Sequence, residues 1–321
     1  MAGQVRLFEH KDFQAICIDA ARRFNLAEQF IEKDYFVTEA LRIAAQTKQG
    51  HLVFKGGTSL SKGWHLLERF SEDLDLFLNP ESYDPALGAK GVNRELKRLR
   101  DSVAAHPALT YDPEAGKTIG GFGRDDVFRY TTNFDEIPGV STTVVLEAGI
   151  QSGAFPTETV NISSFAADFL RERGLSNAAE DLEPFPMTLL HFRRTFVEKL
   201  FTVHGKVERL KSERERLQRA ARHYADLYVL AARPEVLAMI ESDEYGQICT
   251  DYNEKSIRFF KNSYRPPEGL RFNRSDALFL PGKLKATVEE DYYADCRVLF
   301  RDEPPAFDAV MERLQGIANK L

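Results

Sequence analysis

The stretch of residues 53–78 constrains the fold of this chain more than any other. It opens with a short apolar run typical of a buried strand, which leads into a Lys55-Gly56-Gly57 turn. Apolar residues at helical spacing come next: Leu60, Trp64 and Leu67. The acidic run Asp73-Leu74-Asp75 is then typical of a second strand. This order of strand, glycine turn, helix and strand predicts an α/β unit whose turn lets a phosphate group approach the backbone.

Asp73 and Asp75 are two positions apart on the predicted second strand, so they point to the same face of a sheet. Two carboxylates on one face raise each other's pKa unless a cation lies between them. Mg²⁺ prefers oxygen ligands of this kind. A Gly-Gly turn alone is common in α/β units, and an Asp-x-Asp run alone is usually a solvated strand end. Their combination, about fifteen residues apart, indicates metal-assisted phosphoryl chemistry.

The composition is that of an ordinary globular protein. The 321 residues, 43% hydrophobic and 29% charged, can form one large or two modest domains. No apolar run approaches the length of a membrane span, and the N-terminus lacks the pattern of a signal segment, so we expect a cytoplasmic protein with no membrane partner. Three scattered cysteines predict buried thiols rather than a zinc site: Cys17, Cys249 and Cys296.

The positive charge is unevenly distributed, although the net charge is −6. Residues 204–223 contain seven Lys or Arg against three Glu, and residues 254–274 contain six against two acidic residues. Basic runs on helices are most often solvated faces. The alternative is a track for the phosphates of RNA.

The periodicity divides the chain into a mixed half and a helical half. Helical stripes surround Phe13–Phe24 and Phe36–Ala44, and a charged amphipathic helix is predicted over Asn93–Ala105. Residues 108–161 are typical of antiparallel strands, most clearly at Thr142–Ile150. Later segments predict helices: Thr188–His204, Val207–Ala232, Tyr245–Asn262, Leu284–Phe300 and Ala306–Leu321.

Several stretches resemble, in order, the motifs of the AbiEii/AbiGii nucleotidyltransferase-type toxin family, which belongs to the polymerase-beta-like superfamily. They are Ile31–Val37, Lys55–Leu60, Arg69–Asp75, Glu198–Leu200, Arg222–Tyr228 and the tail from Glu290 to Phe307. The resemblance covers nearly the whole chain. It implies an α+β fold, with a nucleotidyltransferase-like mixed sheet and flanking helices over residues 1–180 and an all-helical domain over residues 181–321.

The resemblance also implies a set of site residues. The implied catalytic residues are Asp73, Asp75, Lys199 and Asp226. The implied metal ligands are Asp73 and Asp75. Glu147 is a candidate third ligand because it is an acid on a hydrophobic strand. The alternative is that Glu147 lies on the solvent-facing side of the sheet. The implied nucleotide-binding residues are Lys55, Gly56, Gly57, Thr58 and Ser59, with Ser59 favoured over Thr58 as the phosphate donor. Asp226 needs a cationic partner if buried, and either Lys199 or Arg222 could supply it.

The implied activity is transfer of a nucleoside monophosphate from an NTP, with two Mg²⁺ ions. The implied biological role is the toxin of a toxin–antitoxin or abortive-infection system, with a cognate antitoxin as partner. Some family members are linked to nucleotide addition at the 3′ end of tRNA, so tRNA is the expected acceptor. One alternative is that the acceptor is a protein or a small molecule. The other is that the chain is a non-catalytic nucleotide-binding interaction protein.

Overall fold

The computed structural model describes residues 5–67, 69, 73–135, 141–300 and 303–321, the side chain of residue 298 excepted. The chain divides into two compact units. The first comprises Met1–Gly63, Phe70–Ile150 and Thr157–Leu189, and the second comprises Trp64–Arg69, Gln151–Pro156 and Leu190–Leu321. Within the described residues, every helix is too short or too polar to cross a bilayer.

The first unit contains a mixed sheet, as the sequence predicts. Its strands are β1 (Leu52–Lys55), β2 (Asp73–Leu78), β3 (Thr110–Ile119), β4 (Gly123–Arg129), β5 (Thr143–Gly149), β6 (Thr157–Ile162) and β7 (Phe185–Leu190). The strand order is β3-β4-β5-β2-β1-β7-β6. β2 runs antiparallel to β1 and parallel to β5, which itself runs antiparallel to β4. The predicted antiparallel set is therefore confirmed for β3, β4 and β5, while β6 lies at the opposite edge.

Helices flank this sheet. They are α1 (Phe13–Phe24), α2 (Glu28–Thr47), α3 (Gly56–Lys62), α4 (Ala89–Ala104) and α5 (Phe165–Glu172). α3 is shorter than its apolar spacing predicts, so placing Trp64 and Leu67 on it was wrong. Gly63 ends the helix at a point where an added Cβ would lie 2.1 Å from the Leu189 side chain.

The second unit is helical, also as predicted. Its helices are α6 (Phe192–Glu213), α7 (His223–Leu230), α8 (Pro234–Ile240), α9 (Asp243–Phe260), α10 (Asp276–Phe279), α11 (Lys283–Leu299) and α12 (Phe307–Ile317). A helix starting at Thr188 was a wrong prediction, because that residue belongs to β7. The predicted helix over residues 207–232 is also divided, since α6 ends where Arg214 adopts a left-handed conformation, with φ of 59°. All three cysteines are buried thiols, which confirms that expectation.

Candidate active site

The turn between β1 and α3 brings the glycine motif against the acidic strand β2. Gly56 has a φ of +73°, and a Cβ added there would lie 1.9 Å from Asp75 Oδ2. Both the backbone conformation and the space therefore require glycine. Lys55 is the register partner of Asp75, and its Nζ lies 3.8 Å from Asp75 Oδ1. The turn thus holds one carboxylate and one ammonium group side by side.

The hydroxyl groups after the turn make hydrogen bonds within the protein. Thr58 Oγ1 donates to the Asp73 carbonyl oxygen at 2.5 Å, and Ser59 Oγ donates to the Gly56 carbonyl oxygen at 2.9 Å. Both side chains are buried. The Thr58 bond fixes the turn against β2, and the Ser59 bond lies within the turn itself. The backbone N–H groups at the start of α3 are the donors that an anion would meet there.

The far end of α3 is fixed by an ion pair. Lys62 Nζ lies 2.7 Å from Asp34 Oδ1 and donates to the Ser163 carbonyl oxygen at 2.9 Å. Asp34 also accepts a hydrogen bond of 2.9 Å from the backbone N–H of Phe165, at the start of α5. Asp34 therefore connects the helix of the glycine turn to α5.

Glu32 and Lys33, the two residues before Asp34, bind the two ends of the segment that connects β4 to β5. Glu32 accepts hydrogen bonds from Thr132 Oγ1 at 2.5 Å and from the Asn133 backbone N–H at 2.9 Å. Lys33 Nζ donates to the Ser141 carbonyl oxygen at 2.6 Å. The family-like signature in α2 therefore braces the sheet unit.

Carboxylates from three neighbouring strands share one face of the sheet. Asp75 on β2 is the register partner of Glu147 on β5, and Glu147 is the register partner of Asp125 on β4. Lys117 on β3 lies next in this row, with its Nζ 2.9 Å from Asp125 Oδ2. Asp125 was not predicted from the sequence. It lies between Arg124 and Asp126, so the local pattern gives no signal for it, and its neighbours in this row are far apart along the chain.

Among the described residues, this row has three carboxylates and two lysines, with Lys55 beside Asp75 and Lys117 beside Asp125. Burial raises the pKa of Glu147 to about 8, and Asp75, Asp73 and Asp125 add to the effect. A divalent cation would relieve this repulsion, and carboxylate oxygens are suitable donors for Mg²⁺. Within the described residues, however, no three such side chains converge closely enough to hold a metal ion as they stand. The donor chemistry fits a metal, and closer convergence of the side chains is needed to bind it.

The second unit contains a buried ionic group around Asp226 on α7. Arg69 binds this carboxylate through two nitrogens of its guanidinium group: Nε donates to Oδ1 at 2.7 Å and Nη2 donates to Oδ2 at 2.8 Å. Lys199 Nζ on α6 lies 2.8 Å from Oδ2. The exposed fractions of the Arg69, Asp226 and Lys199 side chains are 1%, 0% and 6%. Asp226 is therefore held entirely inside the protein by two cations.

These charges set the protonation of their neighbours. Although burial opposes ionisation, Arg69 and Lys199 hold the pKa of Asp226 well below its usual range. Burial and the nearby Lys199 lower the pKa of His223 to about 4, so this imidazole is neutral at pH 7. Its Nδ1 lies 3.0 Å from Lys199 Nζ, and an ammonium group can only donate. The same Nδ1 lies 3.4 Å from Asp226 Oδ2, so His223 contacts both members of the Lys199–Asp226 pair, and the contact with Lys199 is the shorter.

Arg69 is a partner of Asp226 that local sequence patterns did not predict. Its backbone forms an isolated antiparallel bridge with Phe300, which anchors it in the helical unit. In the sequence it is part of the motif Arg69–Asp75, of which residues 70–72 lie outside the described residues. Nothing in the local pattern shows that this arginine meets an aspartate 157 positions later.

Comparison with known proteins identifies the family. Residues 40–313 match the family described as "Nucleotidyl transferase AbiEii toxin, Type IV TA system". The chain belongs to this family. Among solved structures it is similar to MenT4, a nucleotidyltransferase toxin from Mycobacterium tuberculosis H37Rv, with a TM-score of 0.59 and 19% sequence identity over 95% of this chain and 88% of that one. No curated protein sequence matches it significantly.

Family membership makes this protein a nucleotidyltransferase toxin of the type IV class, which implies an antitoxin partner. The resemblance found in the sequence is thereby confirmed. The similarity to MenT4 shows that the mixed sheet with many helices is a fold used by a nucleotidyltransferase toxin.

The raised pKa of Glu147 gives a pH-dependent stability prediction. Its value of about 8 in the folded protein exceeds the ordinary 4.5, so ionising Glu147 destabilises the folded state. The stability should therefore fall as the pH rises from 4.5 towards 8. In metal-free buffer at high pH, Glu147→Gln should raise the free energy of unfolding by about 1–3 kcal/mol, with a much smaller gain near pH 5.

Urea unfolding of both proteins at the two pH values, with a chelator present, measures this difference. Glu158→Gln on β6 is the matched control, because that side chain is exposed and should show no pH-dependent gain. A Glu147→Gln protein that is less stable than wild type at high pH would contradict the assignment.

The burial of Asp226 predicts a large effect of its removal. Asp226→Asn leaves two buried cations without their anion, so it should lower the free energy of unfolding by about 3–5 kcal/mol. Asp308→Asn is the control, because Asp308 pairs with Lys285 on the surface and its loss should have a much smaller effect. Denaturant midpoints measure both, and equal small effects would show that Asp226 is not the anion on which the cluster depends.

Proposed function

We propose that this protein transfers a nucleoside monophosphate from an NTP to an acceptor in a Mg²⁺-dependent reaction. The observation that carries the proposal is the shared sheet face of Asp75 and Glu147, next to a glycine turn built around the Asp75 carboxylate. Asp73 lies two positions before Asp75 on β2 and points to the same face.

In this proposal, Asp73, Asp75 and Glu147 hold the metal. When bound, two Mg²⁺ ions would stabilise the charge on the acceptor oxygen that attacks the α-phosphorus and on the oxygen of the leaving pyrophosphate. Gly56 and Gly57 leave the backbone open for the phosphates at the start of α3, and Lys55 lies beside Asp75 as a further positive charge. Thr58 and Ser59 support the turn from behind, through their hydrogen bonds to backbone carbonyl groups.

We further propose that Lys199 neutralises part of the triphosphate charge and that Asp226 orients Lys199. The support is the fixed position of this lysine, which a carboxylate at 2.8 Å and a neutral imidazole at 3.0 Å hold from two sides. Asp226 is fully buried, so a role as the orienting group suits it better than contact with the nucleotide.

The proposed acceptor is the 3′ end of tRNA, and the proposed role is that of the toxin in a toxin–antitoxin or abortive-infection system with a cognate antitoxin. The acceptor is supported by the family resemblance and by the positive charge in residues 254–274, an excess that an RNA substrate would use. Transfer of label to protein or to a small molecule would assign a different acceptor to the same chemistry.

The decisive test uses Asp73. Asp73→Asn should reduce transfer by at least about 100-fold while the protein stays folded, because one metal-binding carboxylate is lost. Each labelled NTP is incubated with Mg²⁺, total RNA and total protein, and the labelled fraction is identified. Asp101→Asn on α4 is the control, since that carboxylate is exposed and lies outside the acidic face.

Activity of Asp73→Asn within about tenfold of wild type would refute the metal role. A wild-type protein that binds NTP with Mg²⁺ but labels nothing would instead support the non-catalytic alternative.

Lys199→Met separates a nucleotide-binding role from a purely structural one. Arg69 still neutralises Asp226 in this variant, so the melting temperature should change little while the Kd for Mg²⁺-NTP rises about tenfold or more. Isothermal titration and thermal melting measure the two effects. A large loss of stability with unchanged NTP binding would show that Lys199 serves only the buried ionic group.

A further inference from the structure

The structure distinguishes the two basic stretches by what their cations contact. In the first stretch, Lys206 and Arg209 pair with Glu215 at 3.0 and 3.5 Å. Arg216 pairs with Glu290 and Asp291 at 2.9 and 2.6 Å. A phosphate could bind these side chains only by displacing carboxylates that already neutralise them. The positive charge excess of residues 204–223 is therefore largely neutralised by carboxylates of the protein itself.

The second stretch retains cations that the described part of the chain does not neutralise. Lys255 pairs with Asp251, and Arg265 pairs with Glu213 at 3.3 Å. By contrast, four cations of this stretch make no ion pair with any described residue: Arg258, Lys261, Arg271 and Arg274. The last two lie on the same short segment and line the same cavity.

This cavity, the Arg271 pocket, has a volume of about 330 Å³. It is lined by His204, Pro267, Glu268, Arg271, Asn273, Arg274 and Ser275. Two guanidinium groups and one carboxylate leave this lining with a net positive charge. The Asn273 amide adds neutral donors beside the two arginines. The lining therefore suits an oxyanion with several acceptor oxygens.

The segment that carries the arginines is held firmly in place. Phe272, between them in sequence, is completely buried, and its ring packs edge-on against Phe201 with the centroids 4.9 Å apart. Its backbone N–H donates to the Leu321 carbonyl oxygen at 3.2 Å. Arg271 and Arg274 are thus presented from an anchored segment, which reduces the entropy lost when they bind a ligand.

The base of the pocket is polar but uncharged. His204 Nδ1 lies 2.7 Å from Ser275 Oγ, and both side chains are buried. Burial lowers the pKa of His204, so the imidazole is neutral at pH 7 and leaves the charge of the pocket to the arginines.

We propose that the Arg271 pocket binds a backbone phosphate of the acceptor RNA, with the guanidinium groups of Arg271 and Arg274 as the main contacts. The proposal deepens the proposed function, on which it rests for the identity of the acceptor. Free inorganic phosphate has the same chemistry, so the test includes it. The site lies wholly within the helical unit and uses none of the residues assigned to nucleotide or metal binding.

The test compares two double variants that each remove two positive charges. Arg271→Gln with Arg274→Gln should weaken binding of a fluorescein-labelled single-stranded RNA at least about tenfold and reduce the log–log salt slope by about 0.7, for the one lost phosphate contact. Lys206→Gln with Arg209→Gln should change binding by less than about threefold, because Glu215 already holds those cations. Fluorescence anisotropy at several salt concentrations gives both quantities.

Thermal melting and Mg²⁺-NTP binding should be unchanged in both double variants. An equal loss of RNA binding in both would show a bulk charge effect and overturn the proposal, as would unchanged binding in the Arg271 and Arg274 variant. Inorganic phosphate that raises the melting temperature of wild type but not of that variant, with RNA binding intact, would reassign the pocket to free phosphate.

The two proposals can fail separately. If the wild-type protein transfers no nucleotide but the Arg271 and Arg274 variant still loses RNA binding selectively, the pocket stands and the proposed reaction falls. If transfer to RNA occurs and the variant behaves like wild type, the reaction stands and the pocket assignment falls.

Discussion

The helical unit depends on how one buried aspartate is neutralised. Asp226 has no contact with solvent, and an unpaired carboxylate in such a place would be protonated or would unfold the region. Arg69 satisfies both of its oxygens, and Lys199 adds a second cation at 2.8 Å. Because all three groups are buried, the position of each is determined by the other two. A lysine with almost no contact with water is thereby held in one orientation.

The sheet unit shows the opposite electrostatic situation. Its carboxylates share one face, and burial together with these neighbours raises the pKa of Glu147 to about 8. A fold selected only for stability would not keep acids in register on three adjacent strands. This repulsion between carboxylates is explained if a cation that arrives with the substrate completes the site. Unfavourable charge arrangements of this kind are found where a bound ligand relieves them. The ionic group of the helical unit satisfies its charges internally, whereas on the acidic face Glu147 makes no ion pair with any described residue.

Local sequence patterns predicted those features of the protein that depend only on residues close together in the chain. Asp73 and Asp75 could be placed on one face because the strand repeat is two residues, and the glycine turn could be found because few residues tolerate its backbone. Arg69 and Asp125 could not be found in this way. Arg69 meets its partner only through tertiary packing, and Asp125 joins Glu147 only through strand register. The strand β7 was missed because a short apolar run before a long helix also continues the helical pattern.

The triplet Glu32, Lys33 and Asp34 makes α2 an internal support. Successive helical residues point about 100° apart, so three consecutive charges that each find a partner need protein on three sides of the helix. The family match begins at residue 40, inside α2 and after this triplet. A fragment cut at that boundary would keep Lys62, Thr132 and Ser141 and lose the charged groups that bind them. The start of the sequence match is therefore not a domain boundary, and a fragment that keeps these contacts must begin before Glu32.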